Sequence, residues 1–169
     1  MNATYDIREA TPADAPALHE LGAAVTWPTY APIAGAEYAA YVMDTWWRSD
    51  YIAESMSRTT HYVAERDDQV IGTAVVGALD GDPVLWKLYV LPSEHGAGVG
   101  TALLEAVVEY VGDGAGRLLL SYIEGNEHAA AFYRARGFTF VRAEPGSGGV
   151  IHHWMSLALP RTRGRPDTR

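Results

Sequence analysis

A short glycine-rich segment is the part of the sequence whose residue types and spacing point most directly to chemistry. Gly96, Gly98 and Gly100 stand at every second position, after the β-rich residues 88–91 and before an amphipathic stretch. Glycines let backbone N–H groups approach a ligand closely, and a helix N-terminus carries about +0.5 elementary charge. The segment therefore predicts an anion site of the kind that holds a phosphorylated cofactor.

Two common nucleotide motifs do not fit this segment. A P-loop ends in Gly-Lys-Ser/Thr, whereas the segment ends in Gly98-Val99-Gly100-Thr101 and contains no lysine. A dinucleotide fingerprint has the spacing G-x-G-x-x-G near the start of a βαβ unit, whereas G-x-G-x-G here falls past the middle of the chain. A tight strand-to-helix connection without a ligand is the alternative that the glycines alone leave open.

Two motifs follow one another in residues 86–141. The first is His95-Gly96-Ala97-Gly98-Val99-Gly100, directly after a strand-like run, and the second is residues 126–138, which read N-x-x-A-x-x-F-Y-x-x-x-G-F. Together they resemble the GNAT family of acyl-CoA-dependent N-acetyltransferases, whose acetyl-CoA motif is Q/R-x-x-G-x-G/A. His95 departs from the family pattern, because it stands where the family has Arg or Gln.

The resemblance implies that acetyl-CoA is the acyl donor and that no metal takes part. The cofactor-binding residues that it implies are Leu88, Tyr89, Val90, His95, Gly96, Ala97, Gly98, Val99, Gly100, Thr101, Asn126, Ala129, Phe132, Tyr133 and Arg136. It also implies that backbone N–H groups of residues 88–90, at a bulge that opens the sheet, hold the thioester oxygen.

Tyr133 is the predicted catalytic residue, because the family's tyrosine at this position protonates the departing thiolate, a role worth about 10²- to 10⁴-fold. Packing of its ring is the alternative. Asn126 is predicted either to cap the following helix or to bind the pantetheine arm.

The proton acceptor for the amine is harder to predict. An unperturbed alkylamine has a pKa near 10.4 and is protonated at neutral pH. Many family members carry a glutamate on the strand before the glycine segment, but residues 84–87 contain no carboxylate. The candidate bases by residue type are Glu37, Asp44, His61, Asp80 and His153.

An aromatic-rich stretch, residues 27–51, is predicted to cover the acceptor side. Trp27, Tyr30 and Glu37, with His153 from the last strand, are the candidate substrate-binding residues, since aromatic rings and carboxylates bind amines by cation–π contact and charge pairing. Aromatic rings packed into the core are one alternative, and a homodimer interface formed by exposed rings is another. Adjacent His152 and His153 would point to opposite faces of a strand, which argues against a shared metal ion.

The elements that must position these residues can be predicted from the same sequence. Strands are predicted at 4–9, 61–65, 70–79, 84–91, 117–123, 138–142 and 150–159, and helices at 11–24, 98–111 and 126–136. Val99, Ala102, Leu103, Ala106, Val107 and Tyr110 form the predicted buried face of the second helix. The fold class is α/β (α+β): a mixed, mostly antiparallel sheet flanked by helices.

Composition agrees with one compact domain over residues 1–160. The 169 residues are 48% hydrophobic, and no apolar run approaches the roughly 20 residues needed to span a bilayer, so a cytoplasmic protein without membrane contact is predicted. The absence of cysteine excludes a Cys nucleophile, which leaves direct acyl transfer. The formal charge of −8 argues against nucleic-acid binding.

Residues 161–169 carry four arginines and one aspartate, a net charge of +3, which leaves −11 on the rest of the chain. This segment is predicted to be a disordered basic tail. The predicted function is acetyl transfer from acetyl-CoA to a primary amine, such as a polyamine or amino compound. A protein lysine or N-terminal acetyltransferase, and a noncatalytic acyl-CoA sensor, are the alternatives.

Overall fold

The structure is a computed structural model that describes residues 4–112 and 114–160, so the predicted tail at 161–169 lies outside the described residues. Its strands are β1 (Asp6–Glu9), β2 (Thr60–Arg66), β3 (Gln69–Leu79), β4 (Asp82–Val90), β5 (Arg117–Ile123), β6 (Thr139–Pro145) and β7 (Ile151–Ala158). Its helices are α1 (Ala15–Ala34), α2 (Ala36–Trp46), α3 (Ser49–Ser55), α4 (Val99–Val111) and α5 (Glu127–Ala135). The predicted strands fall within three residues of these bounds.

The seven strands form one sheet in the order β1-β2-β3-β4-β5-β7-β6, which confirms the predicted mixed, mostly antiparallel fold. All neighbouring strands are antiparallel except β4 and β5, which run parallel and pair only at Val84 with Leu119 and at Leu85 with Leu120. Beyond Leu85 the two strands separate. Residues 86–90 of β4 consequently have no strand partner on this edge among the described residues.

A bulge at Trp86 decides which way the end of β4 faces. The pairing of β4 with β3 skips Trp86. Leu85 and Leu88 pack into the same core although they are three positions apart, a spacing that places side chains on opposite faces of a regular strand. The bulge shifts the alternation by one residue, so that Lys87 and Tyr89 share the other face.

Two apolar cores lie on the two faces of the sheet. One core joins α4 and α5 to the strands through residues such as Leu103, Val107 and Tyr133. The other joins the sheet to α1–α3 and includes Trp47, whose ring packs so closely on α1 that a Cβ at Gly22 would overlap it. Burial of these apolar stripes, at about 25 cal/mol per Å², holds the helices against the sheet.

The first helix differs from its prediction. A capping box forms where it was expected, with the Thr11 N–H donating to Asp14 Oδ2 at 2.8 Å, but α1 continues ten residues past position 24. Pro28 and Pro32 lie inside it. A proline removes one helical hydrogen bond and normally ends a helix, and here packing against α2 and the sheet outweighs that local signal.

The face of α4 also differs in one position. Leu103, Leu104 and Val107 are buried, whereas Tyr110, predicted to be buried, is 56% exposed. Its ring instead packs edge-on against Tyr62 at 6.2 Å between centroids. Tyr62 belongs to β2 and is itself partly buried, so Tyr110 packs at the edge of the core rather than inside it.

Candidate active site

Two adjoining cavities lie beside the gap between β4 and β5. The glycine-loop cavity has a volume of about 470 Å³ and is lined by Val25, Thr29, Leu88, Tyr89, Val90, Pro92, Glu94, His95, Gly96, Gly98, Val99, Gly100, Thr101, Asn126, His128, Ala129, Phe132, Tyr133 and Arg136. The structure thus brings together all the cofactor-binding candidates except Ala97, which is exposed. Tyr89 lines this cavity and its neighbour.

The glycine segment has the backbone geometry that an anion site needs. Gly98 is the N-cap of α4 and takes the left-handed conformation, with φ of 82°, and Gly96 has the same φ. Gly100 faces Phe132, whose ring would lie 3.3 Å from an added Cβ. The turn therefore presents the N-terminus of a 13-residue helix to the cavity, with its backbone unobstructed by side chains.

His95 forms a pair with His128 at this cavity. The two rings stack at 5.4 Å with an interplanar angle of 16°, and His95 Nε2 lies 3.1 Å from the Val90 carbonyl oxygen. Residue spacing does not indicate this role for His128, because its partner is 33 positions away. An imidazole pair thus lies at the position where the family has Arg or Gln.

The start and the end of α5 are tied to the same cavity. Asn126 Oδ1 accepts a hydrogen bond from the Ala129 N–H at 3.2 Å, which confirms its predicted capping role. Arg136 Nη2 donates to Thr101 Oγ1 at 2.7 Å, and its guanidinium lies 3.5 Å from the centroid of the Phe132 ring. These contacts fix α5 against the first turn of α4.

Three buried phenols meet between the cavities. Tyr133 lines the glycine-loop cavity and is 8% exposed, and the hydroxyls of Tyr30 and Tyr89 are hydrogen-bonded to each other. Burial raises the pKa of all three phenols above the ordinary value near 10. Each hydroxyl therefore keeps its proton at neutral pH, and one of the Tyr30 and Tyr89 hydroxyls donates to the other.

The aromatic cavity, on the α1–α3 face, has a volume of about 520 Å³. It is lined by Tyr30, Tyr38, Val42, Trp46, Trp47, Tyr51, Ser55, Arg58, Thr59, His61, Val75, Trp86, Lys87, Tyr89, Ser121, Tyr122, Ile123, Glu144, Pro145, Gly146, Ser147, His152 and Trp154. Nine of these residues are aromatic rings of Trp or Tyr. Such walls suit an apolar or aromatic body with a small number of polar groups.

Lys87 is the cavity residue that sequence reasoning missed. Its Nζ donates to the Trp46 carbonyl oxygen at 2.6 Å and lies 4.0 Å from the centroid of the Trp47 ring. Burial lowers its pKa from 10.5 to about 7. Composition could have drawn attention to this residue, because Lys87 is the only lysine in the sequence.

His61 is the one predicted base that lines the aromatic cavity. It is buried, with Nε2 at 3.1 Å from Ser55 Oγ and 3.0 Å from Thr59 Oγ1. Burial, with a smaller contribution from the charge of Lys87, lowers its pKa to about 4. His61 is neutral at pH 7 and too weakly basic to take a proton from an alkylammonium.

The other candidate bases lie elsewhere. Glu37, Asp44 and Asp80 are exposed and line neither cavity, and His153 Nε2 lies 3.3 Å from Glu124 Oε1, also outside both linings. Of the candidate substrate residues, Tyr30 alone lines the aromatic cavity, whereas Trp27 is 43% exposed outside both.

Glu144 is the carboxylate in the lining of the aromatic cavity. Arg142 Nε donates to Glu144 Oε2 at 3.2 Å, and this contact lowers the pKa of Glu144. Next to it, Gly146 approaches the ring of His152 so closely that a Cβ at Gly146 would overlap it. The turn between β6 and β7 thus forms one wall of the cavity.

Within residues 4–112 and 114–160, no group of three or more His, Cys, Asp or Glu side chains is arranged to hold a metal ion. In the same described part of the chain, none of the helices has the length and apolar character required to cross a membrane.

Comparison with known proteins places this arrangement in a family. Residues 57–140 match the family described as Acetyltransferase (GNAT) domain. An uncharacterized N-acetyltransferase of Mycobacterium tuberculosis is 36% identical over 121 residues, which cover 69% of this chain and 78% of that protein.

Solved structures share the fold at lower identity. The PaiA N-acetyltransferase of Thermoplasma acidophilum, in complex with coenzyme A, matches with a TM-score of 0.75 and 20% identity over 92% of this chain and 99% of that chain. The ribosomal-protein-S18-alanine N-acetyltransferase of Escherichia coli matches with a TM-score of 0.73 and 18% identity over 96% and 98%. The protein is an N-acetyltransferase by class. It belongs to the GNAT family, as the two sequence motifs implied.

Proposed function

We propose that this enzyme transfers the acetyl group of acetyl-CoA directly to the primary amine of a small molecule. The observation that carries the proposal is that two cavities of different chemistry meet at Tyr89, beside the gap between β4 and β5. One cavity has an anion-binding glycine turn and the other has aromatic walls. A donor and an acceptor bound in them would have their reacting groups at the shared boundary.

The residues of the glycine-loop cavity fit acetyl-CoA. Gly96 and Gly98, both with φ of 82°, leave the backbone open for a diphosphate at the N-terminus of α4. Arg136 and the His95–His128 pair add donors beside that turn. When bound, the cofactor supplies an acetyl group already activated as a thioester.

Two features of the chain assist the transfer. The unpaired edge of β4 at residues 86–90 offers backbone N–H groups to the thioester oxygen, although the bulge lies at Trp86 rather than at residues 88–90 as the resemblance implied. Tyr133 holds a proton at its buried Oη and donates it to the sulfur as the thiolate departs.

The lining of the aromatic cavity favours an amine with an apolar or aromatic body over a polyamine. Nine Trp and Tyr rings surround the cavity, and Glu144, already bonded to Arg142, is the carboxylate that the described residues contribute to it. A polyamine needs several carboxylates to pair with its charges, because each buried charge without a partner is costly.

Acetylation of a protein N-terminus is the second candidate. The fold is shared with the ribosomal-protein-S18-alanine N-acetyltransferase of E. coli, at 18% identity. The turn between β6 and β7 forms a wall of the aromatic cavity and restricts the room for a peptide chain. We therefore rank a small amine first. A noncatalytic acyl-CoA sensor would bind the cofactor without turnover.

The experiment is acetyl-CoA-dependent thiol release with a panel of arylalkylamines, alkylamines, polyamines, lysine peptides and N-terminal peptides. The chain has no cysteine, so it contributes no thiol background. Saturable release is expected with arylalkylamines. Saturation by peptides alone would favour the second candidate. A raised Tm with acetyl-CoA, but no release with any amine, would favour the sensor.

A further inference from the structure

The proposed reaction needs a group that takes a proton from the acceptor. An alkylamine is an ammonium at neutral pH and has no lone pair with which to attack a carbonyl carbon. The lining of the aromatic cavity contains one carboxylate, Glu144, which Arg142 binds, and two histidines, His61 and His152. Burial lowers the pKa of both histidines, to about 4 for His61. None of the three groups has the basicity and freedom that the step requires.

The sole lysine of the sequence lies in this cavity. Twelve of the thirteen Lys and Arg residues are arginine, and the exception is Lys87. The two cations are not equivalent, because a guanidinium stays protonated in proteins whereas a buried ammonium loses its proton readily. Among the Lys and Arg side chains, the one that can lose its proton therefore lies beside the boundary of the two cavities.

The fold places Lys87 near the boundary between the glycine-loop cavity and the aromatic cavity. The bulge at Trp86 turns Lys87 and Tyr89 to the same face of β4, and Tyr89 lines both cavities. Because Lys87 and Tyr89 are two residues apart, their side chains are neighbours on the strand. The last residue of β4 that pairs with β5 is Leu85. Lys87 lies beyond it, in the part of β4 that has no partner on that edge among the described residues.

We propose that Lys87 accepts the proton that the acceptor ammonium loses before its nitrogen attacks the acetyl group. The proposal rests on the function proposed above. The Trp46 carbonyl oxygen, at 2.6 Å, and the Trp47 ring, at 4.0 Å, stabilise the ammonium that Lys87 becomes.

At pH 7 about half of the Lys87 side chains are neutral before the reaction. Burial lowers its pKa to about 7, and no ion pair joins it to a carboxylate among the described residues. The other titratable groups that line its cavity, from every element around it, are Tyr30, Tyr38, Tyr51, Arg58, His61, Tyr89, Tyr122, Glu144 and His152. His61 and the phenols of Tyr30 and Tyr89 are neutral at pH 7, because burial lowers the pKa of His61 and raises those of the two tyrosines.

The reaction balances with Lys87 in this role. An N–H bond of the acceptor ammonium breaks and an N–H bond to Lys87 Nζ forms, which frees the lone pair. The amine nitrogen then forms a bond to the acetyl carbon and the C–S bond breaks, with its electron pair going to sulfur. Tyr133 protonates the sulfur and regains a proton from the amide nitrogen, while Lys87 releases its proton to water.

The test compares Lys87→Met and Lys87→Arg with the wild type in pH profiles of kcat/KM for the amine. In the wild type, kcat/KM rises tenfold per pH unit up to about pH 7 and then stays level until the amine itself titrates near pH 10. At pH 7 both variants fall about 100- to 1,000-fold. Their kcat/KM rises steadily towards pH 10, because only amine that is already neutral reacts.

Lys87→Arg separates this role from a merely cationic one, since arginine keeps the charge and cannot accept the proton. Wild-type activity in Lys87→Arg, or an unchanged profile in Lys87→Met, would overturn the proposal while leaving the transferase intact. The acetyl-CoA Kd of both variants should stay within about twofold, because Lys87 does not line the glycine-loop cavity. Absence of wild-type turnover with every amine would overturn both proposals.

A direct titration covers the case in which the variants do not fold. Protein labelled with 13C at lysine Cε gives one side-chain signal, because the sequence has a single lysine. Its chemical shift should titrate with a midpoint near pH 7. A midpoint above about pH 9 would leave Lys87 protonated at neutral pH and would overturn the proposal whatever the variants do.

Discussion

The two cavities of this enzyme are built in different ways. The glycine-loop cavity is formed almost entirely by two short stretches of chain, residues 88–101 and 126–136. The aromatic cavity collects side chains from α1–α3, β2–β7 and the turn after β6. This difference shows that local chain geometry can specify an anion site. A pocket for an organic substrate needs walls that come from elements far apart in the sequence.

The cavities also differ in how they handle charge. The glycine-loop cavity presents a helix N-terminus, an arginine and a stacked histidine pair, all suited to an anion. In the aromatic cavity burial lowers the pKa of two basic groups, to about 7 for Lys87 and to about 4 for His61. Four changes test this contrast.

The largest expected effect comes from Gly98→Glu. A side chain at φ of 82° is strained by roughly 1–2 kcal/mol, and a carboxylate there repels the cofactor phosphates. We expect acetyl-CoA affinity to fall about 1,000-fold in calorimetry, or about 4 kcal/mol. Gly112→Glu is the matched control, because Gly112 ends the same helix at φ of 68° and lies outside both cavities. Equal losses in both variants would assign the effect to strain alone.

Tyr133→Phe should give the next largest change. It keeps the buried ring and removes the proton, so kcat should fall about 100-fold while the acetyl-CoA Kd changes less than about twofold. Tyr62→Phe, outside both cavity linings, controls for loss of a hydroxyl elsewhere. A wild-type kcat in Tyr133→Phe would show that Tyr133 packs in the core and does not protonate the thiolate.

Gly146→Ala should affect the acceptor alone. Its Cβ would overlap the His152 ring and push it into the aromatic cavity. We expect the KM for the amine to rise about tenfold, or about 1.4 kcal/mol, with acetyl-CoA binding unchanged. Gly114→Ala is the control, because Gly114 lies outside both cavity linings and no atom lies within 4 Å of the added Cβ. A weaker acetyl-CoA affinity in Gly146→Ala would show that the two cavities are not independent.

The smallest effect concerns stability in acid. The folded-state pKa of His61 is about 4, below the ordinary 6.5, so the unfolded chain takes up a proton that the folded chain refuses. Stability is therefore lost as pH falls from 6.5 to 4, and Tm should drop by a few degrees over this window. The His61→Gln variant should show a smaller decrease of Tm over this window. An unchanged decrease in the variant would show that other groups cause the loss of stability in acid.

Much of the fold was predictable because its signals are local. Strand alternation and the run of α4 depend on side chains within one or two turns of each other, so the strands fell within three residues of their observed bounds. Asn126 was predicted to cap α5 because capping involves neighbouring residues. The prediction ended α1 at residue 24, whereas the helix continues through Pro28 and Pro32, two local helix-breaking residues that packing overrides.

By itself the sequence determined the order of elements, the glycine turn with its helix N-terminus, and the family, because each is carried by residues close together in the chain. Only the tertiary structure decided which side chains surround the acceptor. Lys87 faces the aromatic cavity because a bulge one residue earlier reverses the strand's alternation, and its pKa falls to about 7 because α2 and Trp47 cover it. Facing and burial depend on contacts between distant segments, which residue spacing does not encode.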